Sequence, residues 1–234
     1  MTARDSSPVY VALDTPNLSE ALRIGRAVAP HVGGLKVGLE FLTALGPDAV
    51  REIVALGLPV FADTKFHDIP NTVAGASRAI AALGAKIFNI HVSGGEAMMR
   101  AAKDAAASVD PAMKVIGVTV LTSMDDDVLE SVGQKSPARD QVVRLAKLAK
   151  ASGLDGVVCS PQEIALVREA CGPGFLIVTP GVRPAGSDIA DQKRVMTPAE
   201  AASAGADILV IGRPITAAAD PARAAADIAA SLKA

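Results

Sequence analysis

Residues 59–70, PVFADTKFHDIP, set Asp63, Lys65 and Asp68 within six positions at the end of an apolar run, Pro59-Val60-Phe61-Ala62, that reads as a buried strand. Side chains alternate along a strand, so Asp63 and Lys65 point to one face, an acid beside a base. Lys36 is a second lysine in such a position, inside the run GLKVGL and flanked by Leu35 and Val37. An ammonium buried in a sheet is costly without a charged partner. A structural ion pair is one reading of Asp63 and Lys65. As a source of stability it is a poor trade, because desolvation offsets the Coulomb gain. A shared functional site accounts for Lys36, Asp63 and Lys65 together.

A second group lies near the C-terminus. IGRP, residues 211–214, follows an apolar run and opens a short helical turn, and PGVRP, residues 180–184, follows another. In α/β barrels the loops after strands seven and eight, with the N-terminus of a short helix, often hold phosphate. Arg213 offers a forked donor, Gly212 a close backbone approach, and Arg183 a second cation from the neighbouring loop. The plainer reading leaves Arg213 as a surface residue. The two groups together indicate a Lys/Asp constellation acting on a small phosphorylated molecule.

Something must bring these residues together. Eight β-rich runs, 9–14, 34–39, 59–65, 85–92, 113–121, 156–160, 175–180 and 206–212, alternate with Ala-rich segments whose apolar residues recur at three- and four-residue spacing. Asn17 to Ser19 supply a helix start, and Gly84, Gly153 and Gly205 supply stops. The runs are nearly all apolar, as in a parallel sheet covered on its outer face. Eight such units in 234 residues predict a single (β/α)8 TIM barrel occupying 1–234 as one α/β domain. The C-terminal strand ends then gather Asp14, Asp63 with Lys65, His91, Thr122 with Ser123, Ser160, Thr179 and Gly212 with Arg213 at one mouth. Several have plainer readings. Asp14 suits a turn or cap, His91 a structural tie to a backbone group, Ser160 a helix cap, and Thr179 local packing. The stretch 180–198 is the least regular, and a loop of that length in a compact domain is more often functional than decorative.

Composition narrows the class. Half the residues are apolar, a fifth are charged, and the net charge is −2, so a general nucleic-acid binder is not expected. No run is long and apolar enough for a membrane span, and the first residues lack a signal-peptide core. Cys159 and Cys171, the only cysteines, have no metal-binding or redox spacing. A reduced, cytoplasmic protein is expected. No Gly-x-Gly-x-x-Gly follows a strand, and the paired glycines of HVSGGEA are too weak a signal for a nucleotide site.

FADTKFHDIPNTV resembles the signature of the orotidine 5'-phosphate decarboxylases. VALD, GLKVGLEF, NIHVSGGEAMM, GVTVLTSM, VTPGVRP, DQKRVMTPAEA and GADILVIGRPIT are similar to that family in the same order, across essentially the whole chain and in the bacterial spelling. The resemblance implies a (β/α)8 homodimer that makes UMP without metal or organic cofactor. Carried over, Asp14 and Lys36 contact the ribose; Lys36, Asp63 and Lys65 form a charged array completed by Asp68 from the other subunit; and Thr72 reaches the ligand from that side. Thr122 and Ser123 face the pyrimidine. Arg183, Gln192, Gly212 and Arg213 hold the phosphate. Lys65 stabilises negative charge at C6 and protonates it. A sister enzyme, 3-keto-gulonate-6-phosphate decarboxylase, shares Asp-x-Lys-x-x-Asp but works with magnesium and has an acid where this chain has Lys36.

Overall fold

The computed structural model describes residues 7–184 and 196–232. Eight strands, β1 (Val9–Ala12), β2 (Gly34–Val37), β3 (Val60–Phe66), β4 (Ile87–His91), β5 (Lys114–Val118), β6 (Gly156–Val158), β7 (Leu176–Thr179) and β8 (Ile208–Ile211), form a closed barrel in chain order. Every pairing is parallel, including the closing pair of β1 with β8. All eight apolar runs of the sequence become strands, most of them trimmed at their ends.

The intervening helices are α1 (Leu18–Val28), α2 (Leu39–Val54), α3 (Pro70–Ala81), α4 (Gly95–Ala107), α5 (Asp126–Ser131), α6 (Ala138–Ala151), α7 (Ile164–Cys171), α8 (Pro198–Ser203), α9 (Arg213–Thr216) and α10 (Pro221–Ser231). Asn17 caps α1 by accepting the Glu20 N–H, and Ser160 caps the short 3-10 turn before α7. Gly84, Gly153 and Gly205 all take a positive φ beyond a helix end, as stop signals do. In α2 the Gly46-Pro47 pair obscures the helical period; the chain breaks there at Gly46 (φ 73°) and resumes the helix at once.

Two apolar layers result. The larger lies between the strands and the helices, where alternate strand residues such as Val11, Leu35, Ala62, Phe88 and Ile90 are buried. The smaller fills the barrel with Tyr10, Phe61, Ile87, Ile116, Val178 and Ile208. Gly34 completes it by absence, since a Cβ there would lie 2.3 Å from Cε1 of Tyr10. One step further along the same inward face the residues turn polar on β2, β3 and β4. Gly34 is followed by Lys36, Phe61 by Asp63, and Ile87 by Asn89. The interior is therefore a hydrophobic plug with a charged layer on top of it, at the C-terminal ends of the strands.

Candidate active site

Asp14, Lys36, Asp63 and Lys65 form one chain of alternating charge across the mouth of the barrel. Lys36, only 5% exposed, donates to both carboxylate oxygens of Asp14 at 2.7 Å and lies 3.7 Å from Oδ2 of Asp63. On its other side Asp63 accepts a hydrogen bond from Lys65 Nζ at 2.6 Å. Burial pushes the Asp63 carboxyl upward. The Lys65 and Lys36 charges and the hydrogen bonds from Lys65 and Asn89 outweigh it, and the pKa falls below the ordinary carboxylate value.

The backbone beneath this pair is not a regular strand. Ala62 pairs with Phe88 and Phe66 with Ile90, so four steps along β3 match two along β4. Within this bulge Lys65 has φ 50°, the one positive φ on a residue other than glycine among the described residues. For so large a side chain the left-handed region costs on the order of 1–3 kcal/mol and persists only where surroundings hold it. Asn89, 1% exposed, stands opposite the bulge. Its Oδ1 accepts the Lys65 N–H at 2.7 Å, its Nδ2 donates to Asp63 at 2.6 Å, and its carbonyl accepts the Thr64 hydroxyl at 2.7 Å. Bulges beside active sites commonly re-aim a side chain.

Above the plug lies a cavity of about 180 Å³. Phe61, Val158, Val178 and Val210 contribute its apolar lining, and Asp63, Lys65 and Thr122 its polar side. An aromatic ring with polar edges suits such a space. A more open depression of about 500 Å³ shares Thr122, but Asp125, Asp126, Asp127 and Glu163 outnumber its one lining cation, Arg139, so it suits an anionic ligand less well. Ser123 is exposed just beyond Thr122. Arg183 is 8% exposed and donates to the Val182 carbonyl. Gly212 caps α9, and Arg213 is its exposed first residue. Gln192 lies outside the described residues.

Asp68 and Thr72 stand apart from the array within their own chain. Asp68 is exposed between β3 and α3 and accepts the Ile69 N–H at 2.7 Å. Thr72 is exposed in the first turn of α3, and Ile69 beside them is 67% exposed. Among the described residues His91 makes no side-chain hydrogen bond to a backbone group, the tie its sequence context suggested. It stacks on His67 with ring centroids 5.4 Å apart, and burial, then the positions of His67 and Lys65, lowers its pKa against the opposing pull of Asp63.

Residues 7–228 match the family model described as Orotidine 5'-phosphate decarboxylase / HUMPS family. The chain belongs to this family. Similar curated members include orotidine 5'-phosphate decarboxylase of Moorella thermoacetica, 56% identical with 100% of this chain and 94% of the relative covered. That of Paramagnetospirillum magneticum is 54% identical, with 97% and 98% covered. Among solved structures, the orotidine 5'-phosphate decarboxylase of Lactobacillus acidophilus superposes with a TM-score of 0.86 at 40% identity, over 97% of this chain and all of the other.

Within this orotidine 5'-phosphate decarboxylase / HUMPS barrel, the structure unites Asp14, Lys36, Asp63 and Lys65 and leaves Asp68 and Thr72 on an outward rim. Asn89 is the residue that sequence reasoning passed over. Its signal was a buried amide two residues before His91, on the inward face of an apolar strand.

Proposed function

We propose that Asp63 and Lys65 carry out the decarboxylation of orotidine 5'-phosphate to UMP. The chain is a carboxy-lyase of this substrate, like its relatives at 51–56% identity over nearly their full length. In the proposed reaction the C6–carboxylate bond breaks, carbon dioxide leaves, and the electron pair stays on C6. Lys65 stabilises that pair electrostatically and then gives C6 its proton, which solvent later returns to the lysine. Asp63, itself paired with Lys36, faces the departing carboxylate and holds the Lys65 ammonium in place.

The remaining roles follow the same pose. Asp14 and Lys36 take the ribose hydroxyls. Thr122 and Ser123 border the pyrimidine. Arg183, Gln192, Gly212 and Arg213 bind the phosphate, whose binding energy closes and orders the site. The chain acts as a single catalytic barrel domain and as a homodimer. Asp68 and Thr72 each serve the neighbouring subunit's site; their outward position beside exposed Ile69 supports this. A cytoplasmic location belongs to the same reading, which the buried positions of Cys159 and Cys171 suit.

One observation carries the assignment of the chemistry: the 2.6 Å contact of Lys65 with an aspartate that also faces a second buried lysine. The test is turnover of orotidine 5'-phosphate, followed by loss of its ultraviolet absorbance, by wild type and Lys65→Ala in excess EDTA. Wild-type activity should survive the chelator and the variant should lose it. Abolition by EDTA would favour the magnesium-using sister chemistry, against which the lysine at position 36 already argues.

A further inference from the structure

We infer that Asn89 is a positioning residue for decarboxylation, a two-ended clamp that holds the Lys65 backbone and the Asp63 carboxylate in one fixed relation.

The inference starts from the ladder. Between the pairs Ala62–Phe88 and Phe66–Ile90, three residues of β3 face one residue of β4. Asp63, Thr64 and Lys65 cannot all be satisfied by the backbone of Asn89. Its main chain serves Thr64, whose hydroxyl donates to the Asn89 carbonyl. The side chain serves the other two. Its oxygen takes the Lys65 N–H that the bulge withdraws from the ladder, and its nitrogen binds the carboxylate of Asp63. The orientation of the amide follows from its partners, because an N–H needs an acceptor and a carboxylate needs a donor. Reversing the amide would lose both bonds.

The arrangement has a consequence for reactivity. The Lys65 ammonium meets Asp63 because its backbone takes a left-handed turn, not because the strand alternates regularly. Asn89 bonds the residue in that turn and the acid that the turn is aimed at. The other charged or titratable groups facing Asp63 are Lys36 from β2, Lys65 from β3 and His91 from β4, with Asp14 behind Lys36. The Asn89 amide is the uncharged member of this set. It fixes geometry without adding to the charge balance around the reacting carbon.

The role rests on the proposed work of Asp63 and Lys65, and the experiment separates the two ideas. Asn89→Ala, Asn89→Asp and Lys65→Ala are compared for kcat, KM, UMP affinity by calorimetry and thermal stability. Asn89→Ala removes both ends of the clamp and should lower kcat by about 10²-fold, as misplacement of reacting groups by about 1 Å does. UMP affinity should stay within about threefold, because ribose and phosphate are held elsewhere. Losing the donor to Asp63 should also move the acid limb of kcat/KM to higher pH. Asn89→Asp keeps shape and the acceptor for Lys65 but sets a second carboxyl against Asp63. It should lose kcat and shift the limb further, and it decides the matter if the alanine variant does not fold. A folded variant with wild-type kcat and an unmoved acid limb would overturn the role of Asn89 alone. A fall in kcat matched by an equal fall in UMP affinity would reduce Asn89 to a structural residue. Near-normal turnover by Lys65→Ala would instead overturn the reading on which the inference rests.

Discussion

Lys65 Nζ stands 2.6 Å from Oδ1 of Asp63, and the two residues are held at that distance by a bulged backbone. The ammonium is thus held beside an acid, which in the proposed reaction lessens the reorganisation needed as charge develops. If Lys65 is the proton donor, Lys65→Ala should lower kcat by well over the roughly 10²–10⁴-fold typical of acid–base groups alone, because electrostatic stabilisation disappears with the proton. Affinity for UMP should change far less. A kcat loss below about tenfold in a stopped assay would remove Lys65 from the chemistry.

Asp63 has a depressed pKa in the folded chain, so its ion pairs stabilise the fold above the ordinary carboxylate pKa of about 3.9. That contribution is lost as pH falls through the lower, folded value. Asp63→Asn should be less stable than wild type at neutral pH, since Lys36 and Lys65 lose a partner, and should lose less further stability on acidification. Urea denaturation between about pH 7 and pH 3 checks this. Parallel acid arms for the two proteins would count against an ionised, stabilising Asp63.

The parts of the site legible in the sequence were those with a large energetic signature. A lysine between Leu35 and Val37 demands a partner, and the eight apolar runs demand a covered parallel sheet. Asp63 and Lys65 met as alternation suggested, yet for a different reason. The φ of 50° at Lys65 depends on a register slip between β3 and β4, and register across strands is not written in either strand alone. Asn89 was hidden likewise. A neutral amide raises less alarm in an apolar run than an ammonium, and its meaning appears only when it lies opposite the bulge. The stacking of His91 on His67 depends on the same irregular corner.

Substitutions at Gly212 and Arg213 separate folding from the proposed phosphate binding. At Gly212, where φ and ψ are both −106°, an added Cβ would meet, among the described residues, only Ala12 Cβ, at an ordinary 3.5 Å. Gly212→Ala should therefore fold without a clash against those residues, and urea denaturation reads what the backbone conformation costs an alanine. If the backbone here lies against the phosphate, the methyl group intrudes and KM should rise. Arg213→Ala should lower kcat/KM by roughly ten- to hundredfold, the worth of a charge-assisted hydrogen bond. If remote binding energy closes the site as proposed, part of that loss should fall in kcat. Free phosphite added with a truncated nucleoside substrate should partly restore turnover. Unchanged kinetics in both variants would move the phosphate elsewhere.

Asp68 bonds its own neighbour Ile69 and lies on the exposed rim, whereas Lys65 lies inside the mouth. If Asp68 serves the adjoining subunit, each site needs Lys65 from one chain and Asp68 from the other. Homodimers of Lys65→Ala lack the lysine at both sites, and those of Asp68→Ala lack the aspartate at both. In a mixed dimer the Asp68→Ala chain keeps its lysine and receives an intact aspartate from its partner, so that site is whole while the other lacks both groups. Random reassortment makes about half of all dimers mixed, and about a quarter of all sites should then be wild type. Unfolding and refolding the two inactive variants together should recover that share of activity. If differently tagged chains show that mixed dimers formed and activity stays at the level of the separate variants, Asp68 works within its own chain and the sites are not shared.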